Sequence, residues 1–211
     1  MDSDTGRARF LTAVGHDMRQ PLQALLLYQD ALERRVKDAE AREVLAKAMR
    51  AAQSLASMFD ALVLLGRLDA GKVQPDLSRA SVQSLFDAVQ QASIRTVATP
   101  LYVHSDSALL EISLRQLVDN AIKHGGGAAE LSAQEHNGVV EIAVKDFGAG
   151  IPPEHREQIF EEFVRLEGSP ADGLGLGLTI ARRIAELLGH EIDVQSAPGA
   201  GATFIIRAAI A

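Results

Sequence analysis

The first third of the chain carries apolar residues seven positions apart, and a shift in their phase limits what this part can form. The first set combines one row with an interleaved second row: Leu11, Met18, Leu25 and Leu32 with Val14, Pro21 and Tyr28. The later set has the same form: Leu45, Ala52 and Phe59 with Ala48, Leu55 and Leu62. The later set is one residue out of phase, and strong apolar residues nearly vanish from 33–43. The pattern predicts two helices joined by a turn.

Local signals place the ends of the second helix. Asp38 is a suitable N-cap, and Gly71, followed by Pro75, would close the helix. The apolar stripe is too wide for one hairpin to bury, since further leucines and valines flank the rows: Leu22, Leu26, Leu27, Val63, Leu64 and Leu65. We therefore expect two hairpins to pair as a homodimer with a four-helix bundle.

Composition excludes several classes of function. The chain has 211 residues and no cysteine, so it has neither disulfides nor thiolate metal ligands. Its net charge of -7, with no basic tract and no tryptophan, argues against nucleic-acid binding. We find no apolar run near the roughly 18 residues that span a bilayer. We expect this segment to be cytoplasmic, without membrane contact, and leave open an anchor upstream of Met1.

The pattern changes to mixed α/β beyond residue 70. Helices are predicted at 82–95, 107–124, 153–164 and 175–189, with Ser105 or Asp106 capping the second of them. Strands are predicted at 129–135, 139–146, 191–196 and 202–208, the first two joined by a tight turn at Asn137-Gly138. The predicted class is α+β: a helical hairpin over 1–70, a linker over 71–80, and an α/β sandwich over 81–211.

The first helix carries an unusual polar group. His16 falls at heptad position f, which faces away from the apolar rows, and Asp17 follows it. An isolated surface histidine is the simplest interpretation. Pro21, however, removes a helical hydrogen bond to residue 17 and bends the helix, at a cost of about 3 kcal/mol. Such strain beside a polar pair favours a functional site.

Glycines cluster at two places in the second part. "DFGAGI" (146–151) follows a strand, and "DGLGLGL" (172–178) runs into an apolar helix. Free amides at a helix start suit an anion such as phosphate, although a flexible loop is an equal alternative. The spacing matches neither the Walker phosphate loop nor the dinucleotide fingerprint of the Rossmann fold.

The order of these motifs resembles the two-component sensor histidine kinases. "VGHDMRQPLQAL" is similar to their H-box and "LRQLVDNAIKHG" to their N-box. "DFGAGIPPEHREQIFEEF" resembles the first glycine box with the F-box, "GLGLGLTIARRIAELLG" the second glycine box, and "SAPGAGATF" the last glycine motif. The resemblance covers nearly the whole chain, and the residues of the H-box and the second glycine box are particularly similar to those of hybrid-type kinases. It implies a Bergerat-type (GHKL) domain that binds ATP and Mg²⁺.

The resemblance also implies a role for individual residues. His16 would accept the γ-phosphoryl group of ATP and pass it to an aspartate in the receiver domain of a response regulator. Asp17 would assist the imidazole, and Gln20 would position water in a phosphatase reaction, although a plain surface role for Gln20 is an even alternative. The implied nucleotide-binding residues are Asn120 (also the magnesium ligand), Lys123, His124, Asp146, Gly148, Gly150, Gly173, Gly175 and Gly177.

Some positions depart from the family pattern, and other functions compete. Gln116 stands where a second asparagine is common, Ala202 replaces a threonine, and the lid between Phe163 and Gly173 is short. The preferred function is an active histidine autokinase. One alternative is a dimeric scaffold that binds ATP without phosphotransfer, and another is an ATPase like those of gyrase and Hsp90.

Overall fold

The computed structural model describes residues 20–166 and 173–211. The chain divides into two compact units, of which the first extends to Val73 and the second begins at Gln74. Residues 20–33 are helical (α1), and the following helix, α2, spans Ala39–Asp69. A helical region thus precedes an α/β domain, which confirms the predicted fold class. The predicted boundaries at 70 and 80 stay a prediction.

The ends of α2 are fixed by local chemistry. The Asp38 carboxylate accepts a hydrogen bond from the Ala41 amide at 2.8 Å, so it caps the helix as predicted. Ala70 forms the C-cap, and Gly71 follows it with a φ of +62°. Three side chains of α1 in the predicted apolar rows stay exposed in the single chain, whereas Leu22 is buried. The exposed ones are Leu25, Tyr28 and Leu32.

Helix α2 bears on the prediction that no segment could enter a membrane. Among the described residues there is one helix, Ala39–Asp69, that is long enough and apolar enough to cross a bilayer, judged by length and composition only. The sequence pattern did not indicate this, because polar residues interrupt the apolar residues of the helix. A core helix of a soluble protein meets the same criterion.

The second unit is built on a mixed five-stranded sheet. Its strand order is β2-β4-β5-β7-β6, with β2 parallel to β4 and the other pairs antiparallel. A separate antiparallel pair joins β1 to β3. The strands are β1 Ser78–Ser81, β2 Ile94–Thr96, β3 Tyr102–Ser105, β4 Ala129–His136, β5 Val139–Asp146, β6 Glu191–Ser196 and β7 Ala202–Ala209. The helices are α3 Val82–Val89, α4 Ser107–His124 and α5 Gly177–Leu187.

Alternation along the strands forms the core. Val140, Ile142 and Val144 of β5 are buried, while the residues between them are partly exposed. Helix α4 packs on β4 and β5, and α5 packs on α4 and β6. Asp106 caps α4 by accepting hydrogen bonds from the Ala108 and Leu109 amides. One face of the sheet is thus covered by helices, as predicted.

Two predicted helices were wrong, and two short strands were not predicted. The helix predicted over 82–95 ends at Val89, because Gln90 is extended and Ile94 pairs with Ala129 in the sheet. The helix predicted over 153–164 is replaced by two 3₁₀ turns, Pro153–His155 and Gln158–Phe160. Strands β1 and β3 were not predicted, because each is short and gains its partner from a distant part of the chain.

Candidate functional site

Asp146 ends β5 on the buried side of the sheet and is almost fully buried. Its Oδ1 atom accepts two backbone hydrogen bonds, from the Gly148 amide at 2.9 Å and the Ala202 amide at 3.0 Å. Within the described residues, no donor is bonded to Oδ2. The protein therefore holds one oxygen of this carboxylate and leaves the other as an oriented acceptor.

Close backbone packing surrounds Asp146. A Cβ atom at Gly148 would overlap the carbonyl oxygen of His124, and one at Gly150, whose φ is +75°, would overlap that of Ala197. Gly201 lies as close to the backbone of Asp146. Only glycine allows three segments to meet at this distance, so the glycines of "DFGAGI" serve close approach as well as turning. The result is a narrow cradle beside the carboxylate.

Helix α4 brings its last turn to this cradle. Asn120 is half-buried, and its amide has no hydrogen-bond partner among the described residues. Lys123 and His124 are exposed at the C-terminus of the helix, and the chain turns away at Gly125, where a Cβ atom would overlap Asp146. Asn120, Lys123 and His124 therefore present an amide, an ammonium group and an imidazole at one end of α4.

His124 is held near charges of both signs. Desolvation by the surrounding protein lowers the pKa of its imidazole even though the ring is exposed, the charge of Lys123 lowers it further, Asp146 raises it, and Arg165 lowers it. The net direction is downward, because desolvation and the neighbouring positive charges both favour the neutral imidazole.

The start of α5 contains the other predicted glycines. Gly173 and Gly175 have φ values of +125° and +71°, and Gly177 is the first residue of the helix. The Phe163 amide donates to the Gly175 carbonyl at 3.2 Å, which joins the two ends of the lid segment whose residues 167–172 lie outside the described chain. Among the described residues, no side chain caps the helix, so its first amides are open to an anion.

The departure at Gln116 has a structural consequence. A Cβ atom added at Gly177 would lie 2.9 Å from the Oε1 atom of Gln116. The Gln116 side chain therefore reaches from α4 to the start of α5. An asparagine would be one methylene shorter. Alanine in place of threonine at position 202 keeps the contact with Asp146, because that contact uses the backbone amide.

The first unit contributes less to the described geometry. His16 and Asp17 lie outside the described residues. Gln20 is described and is exposed on α1. The structure thus brings Asp146, Gly148, Gly150 and the end of α4 together within the second unit.

Several groups of the second unit match the chemistry of a purine nucleotide. A fixed carboxylate oxygen suits an exocyclic amino group, and a lysine with free helix amides suits phosphates. No group of three or more His, Asp or Glu that could hold a metal occurs in the described ranges. A magnesium ion bound mainly by phosphates and water needs only one or two protein oxygens, and the side-chain amide oxygen of Asn120 is of a type that could serve.

Sequence reasoning did not single out two residues near Asp146. Ser196, at the end of β6, bonds both to Ile151 and to Gly201, and Arg156 bonds to the Ser196 carbonyl. Their signal in the sequence is faint: Ser196 opens the motif "SAPGAGATF", but its partner Ile151 is 45 residues away.

Comparison with known families matches both units. Residues 6–71 match the family model described as "His Kinase A (phospho-acceptor) domain". Residues 105–210 match "Histidine kinase-, DNA gyrase B-, and HSP90-like ATPase". The two matches come in the order that the motifs predicted.

Individual proteins agree with the family models. The chain is 32% identical to the sensor-like histidine kinase SenX3 of Mycolicibacterium smegmatis, over 95% of this chain and 56% of that protein. It is 32% identical to the sensor histidine kinase YcbM of Bacillus subtilis, over 94% of this chain and 70% of that protein. The full-length structure of ShkA in complex with AMPPNP is similar with a TM-score of 0.79 and 27% identity, over 96% of this chain and 46% of that one.

These matches define the class of protein. The chain belongs to the two-component sensor histidine kinases, with a phospho-acceptor region followed by an ATPase-type domain. It spans 56% of SenX3, so it corresponds to about half of that relative.

Proposed function

We propose that this chain is the kinase core of a two-component system, in which ATP bound by the second unit phosphorylates His16. The observation that carries the proposal is the Asp146 carboxylate, with Oδ1 bonded to the protein and Oδ2 open within the glycine cradle. The AMPPNP complex of the similar kinase ShkA supports a nucleotide in this domain. The H-box around His16, within the matched phospho-acceptor region, supplies an acceptor that an ATPase alone does not need.

Each residue of the second unit has a defined task in this proposal. The open oxygen of Asp146 accepts a hydrogen bond from the adenine amino group. Lys123, the first amides of α5 and, when protonated, His124 offset the charge of the phosphates. Gly173, Gly175 and Gly177 would act as the hinge of the lid and bring the phosphates to the start of α5. Asn120 would hold Mg²⁺, which when bound supplies charge neutralisation on the transferred group.

The transfer then requires an exposed, unprotonated imidazole nitrogen. That nitrogen of His16 attacks the γ-phosphorus, a nitrogen-phosphorus bond forms, and the bond to the β-γ bridging oxygen breaks as ADP leaves. Asp17 accepts the proton of the other ring nitrogen in a hydrogen bond and stabilises its positive charge. The phosphoryl group then passes to an aspartate of a receiver domain.

The assembly and the place of the reaction are part of the same proposal. The exposed row Leu25, Tyr28 and Leu32 would be covered by a second hairpin, giving a homodimeric four-helix bundle. Residues 1–70 would form this phosphotransfer region, 71–80 the linker and 81–211 the ATP-binding region. In this proposal the core works in the cytoplasm, where ATP and response regulators occur, whether or not the full-length protein is anchored.

The decisive experiment is incubation of the chain with γ-labelled ATP and Mg²⁺, with His16→Ala as the matched variant. We expect label that is stable to alkali and lost in acid, as a phosphorus-nitrogen bond requires, and no label on His16→Ala. Nucleotide binding without any label would favour the scaffold instead. Steady phosphate release without phosphoprotein would favour an ATPase like gyrase and Hsp90.

The metal assignment has its own test. Asn120→Ala should lose labelling while the protein keeps its dimer, because the change removes a ligand and leaves α1 and α2 intact. Full labelling of this variant would mean that Asn120 is not the magnesium ligand. Sedimentation of the same sample serves as the control for assembly.

A phosphatase reaction is the finer part of the proposal, and it depends on Gln20. Its exposed amide can accept from water with oxygen and donate with nitrogen. Gln20→Ala should keep autophosphorylation and slow the loss of phosphate from a phosphorylated response regulator in the presence of ADP. If the regulator decays as fast as with wild type, Gln20 has no part in the hydrolysis.

A further inference from the structure

The loop after β5 and the turn before β7 are locked together around Asp146. The Gly199 amide donates to the Ala149 carbonyl at 2.6 Å, and the Ala202 amide donates to the Asp146 carboxylate at 3.0 Å. The backbones of Gly201 and Asp146 are so close that a Cβ atom on Gly201 would overlap the Asp146 carbonyl. A shift of the turn would therefore move the carboxylate.

Ser196 is bonded to both of these segments through one hydroxyl group. Its Oγ accepts the Ile151 amide at 2.8 Å and donates to the Gly201 carbonyl at 2.6 Å. Its own carbonyl accepts a hydrogen bond from the guanidinium of Arg156. The hydroxyl thus uses its single proton on one segment and a lone pair on the other, which fixes their separation.

We propose that Ser196 is a positioning residue for nucleotide recognition, which holds Gly201 and Ile151 so that the Asp146 carboxylate keeps its open oxygen directed at the base. This inference rests on the proposed function, in which Asp146 binds the adenine amino group. Loss of the hydroxyl leaves an amide and a carbonyl without partners, and the two segments must move to find others. The base contact weakens although Asp146 itself is intact.

The test compares two variants of nearly equal shape. Ser196→Thr keeps the hydroxyl and adds a methyl group. Ser196→Val has two methyl groups and no hydroxyl, so it differs from the threonine variant only in the hydroxyl. Each variant of the full chain is titrated calorimetrically with ADP and, separately, with GDP. The guanine ring of GDP has an oxygen at position 6, where adenine carries its amino group. Ser113→Ala is the control, because it removes a buried serine hydroxyl bonded at 3.2 Å to the Ala181 carbonyl, between α4 and α5.

We expect Ser196→Val to bind ADP about tenfold more weakly than wild type and to lose a similar factor of its preference for ADP over GDP. Ser196→Thr and Ser113→Ala should stay within about twofold of wild type in that preference. If Ser196→Val keeps the wild-type preference, or weakens ADP and GDP equally, the proposal is overturned, because a purely structural loss does not select between bases.

Asp146→Asn separates this inference from the proposed function. If that variant keeps the wild-type preference for ADP, then the adenine assignment is wrong and the role of Ser196 falls with it. If it loses the preference while Ser196→Val does not, only the role of Ser196 is wrong.

A second variant covers the case in which Ser196→Val does not fold. Arg156→Met removes the bond to the Ser196 carbonyl but leaves the hydroxyl, so we expect the same direction of change in base preference, by about threefold or less. Faster hydrogen exchange at the Ile151 amide in the nucleotide-free variant should accompany it. Unchanged preference together with unchanged exchange at Ile151 would overturn the proposal.

Discussion

The two units of this chain differ in how they bury apolar side chains. The helical unit leaves Leu27 and Tyr28 about 70% exposed, at 70% and 71%, whereas the α/β unit buries Phe204, Leu114 and Ile206 completely. Side chains of this size contribute about 1.5–3 kcal/mol each when they are fully buried. The α/β unit therefore contains its own core, while the helical unit carries large apolar side chains that stay exposed in the described part of the single chain.

The largest expected effect is on the separated units. A fragment of residues 74–211 should unfold in one cooperative transition whose midpoint does not depend on protein concentration. A fragment of residues 1–73 should lose most of its helicity on dilution below the order of 1 μM, because a lone hairpin lacks a core. Circular dichroism with sedimentation measures both. If the helicity of the fragment 1–73 does not depend on concentration, the two units do not differ in how they bury their apolar side chains.

The next largest effect is expected in the core of the α/β unit. Phe204 packs edge-to-face on Phe160, with ring centroids 6.3 Å apart. Phe204→Ala should lower the free energy of unfolding by about 3–5 kcal/mol. Phe163→Ala is the matched control, because this phenyl ring is exposed, and it should cost less than about 1 kcal/mol. Denaturant titration compares the two, and similar costs would contradict the assigned core.

Two leucines of α1 make the comparison within one helix. Leu22 is 8% exposed and Leu25 is 45% exposed in the single chain. Leu22→Ala should cost about 2–4 kcal/mol of stability. Leu25→Ala should mainly weaken self-association, by about tenfold in the dimer dissociation constant. Analytical ultracentrifugation measures the second effect, and an unchanged dissociation constant would mean that the row with Leu25 does not lie in the dimer interface.

A smaller effect is expected from acid on the α/β unit. Burial lowers the pKa of the His190 imidazole, a backbone hydrogen bond with Gly189 raises it, and the neighbouring His104 lowers it. The imidazole lies 2.9 Å from the Ser105 hydroxyl. The unfolded chain takes up this proton first as the pH falls, so stability is lost below the ordinary histidine pKa of about 6.5. The slope for one proton is at most about 1.4 kcal/mol per pH unit.

The variant His190→Gln should flatten this part of the pH profile. His136→Gln is the control, because that histidine is exposed on β4. Denaturant midpoints between pH 5 and 7 give the comparison. An unchanged slope in His190→Gln would show that another group takes up the proton.

The smallest effect concerns Gln116 and Gly177. Alanine is favoured over glycine in a helix by about 1 kcal/mol, but a Cβ atom on Gly177 would lie 2.9 Å from the Gln116 Oε1 atom. Gly177→Ala should therefore change stability by less than about 0.5 kcal/mol in the wild type and stabilise by about 0.5–1 kcal/mol in a Gln116→Ala background. Thermal unfolding of the four proteins completes the cycle, and additive effects would mean that the two side chains do not meet.

Several features could be predicted from the sequence because their causes are local. Asp38 and Asp106 bond to amides two or three residues away, and Asn137-Gly138 turns the hairpin with two positive φ values. The Asp146 loop was also predicted, because its glycines are adjacent in the chain. The pattern of α1 and α2 predicted the hairpin, and its exposed face is consistent with the proposed dimer.

The sequence by itself determined the two kinds of unit, the capped starts of α2 and α4 and the glycine-rich turn after Asp146, since caps, turns and repeats act within a few residues. Only the tertiary structure decided the rest. The three residues of β2 become a strand because β4, more than 30 residues away, supplies their partners, and Ser196 meets Ile151 across 45 residues. Such contacts depend on the folded sheet that brings distant segments together, and no local pattern of charge or hydrophobicity encodes them.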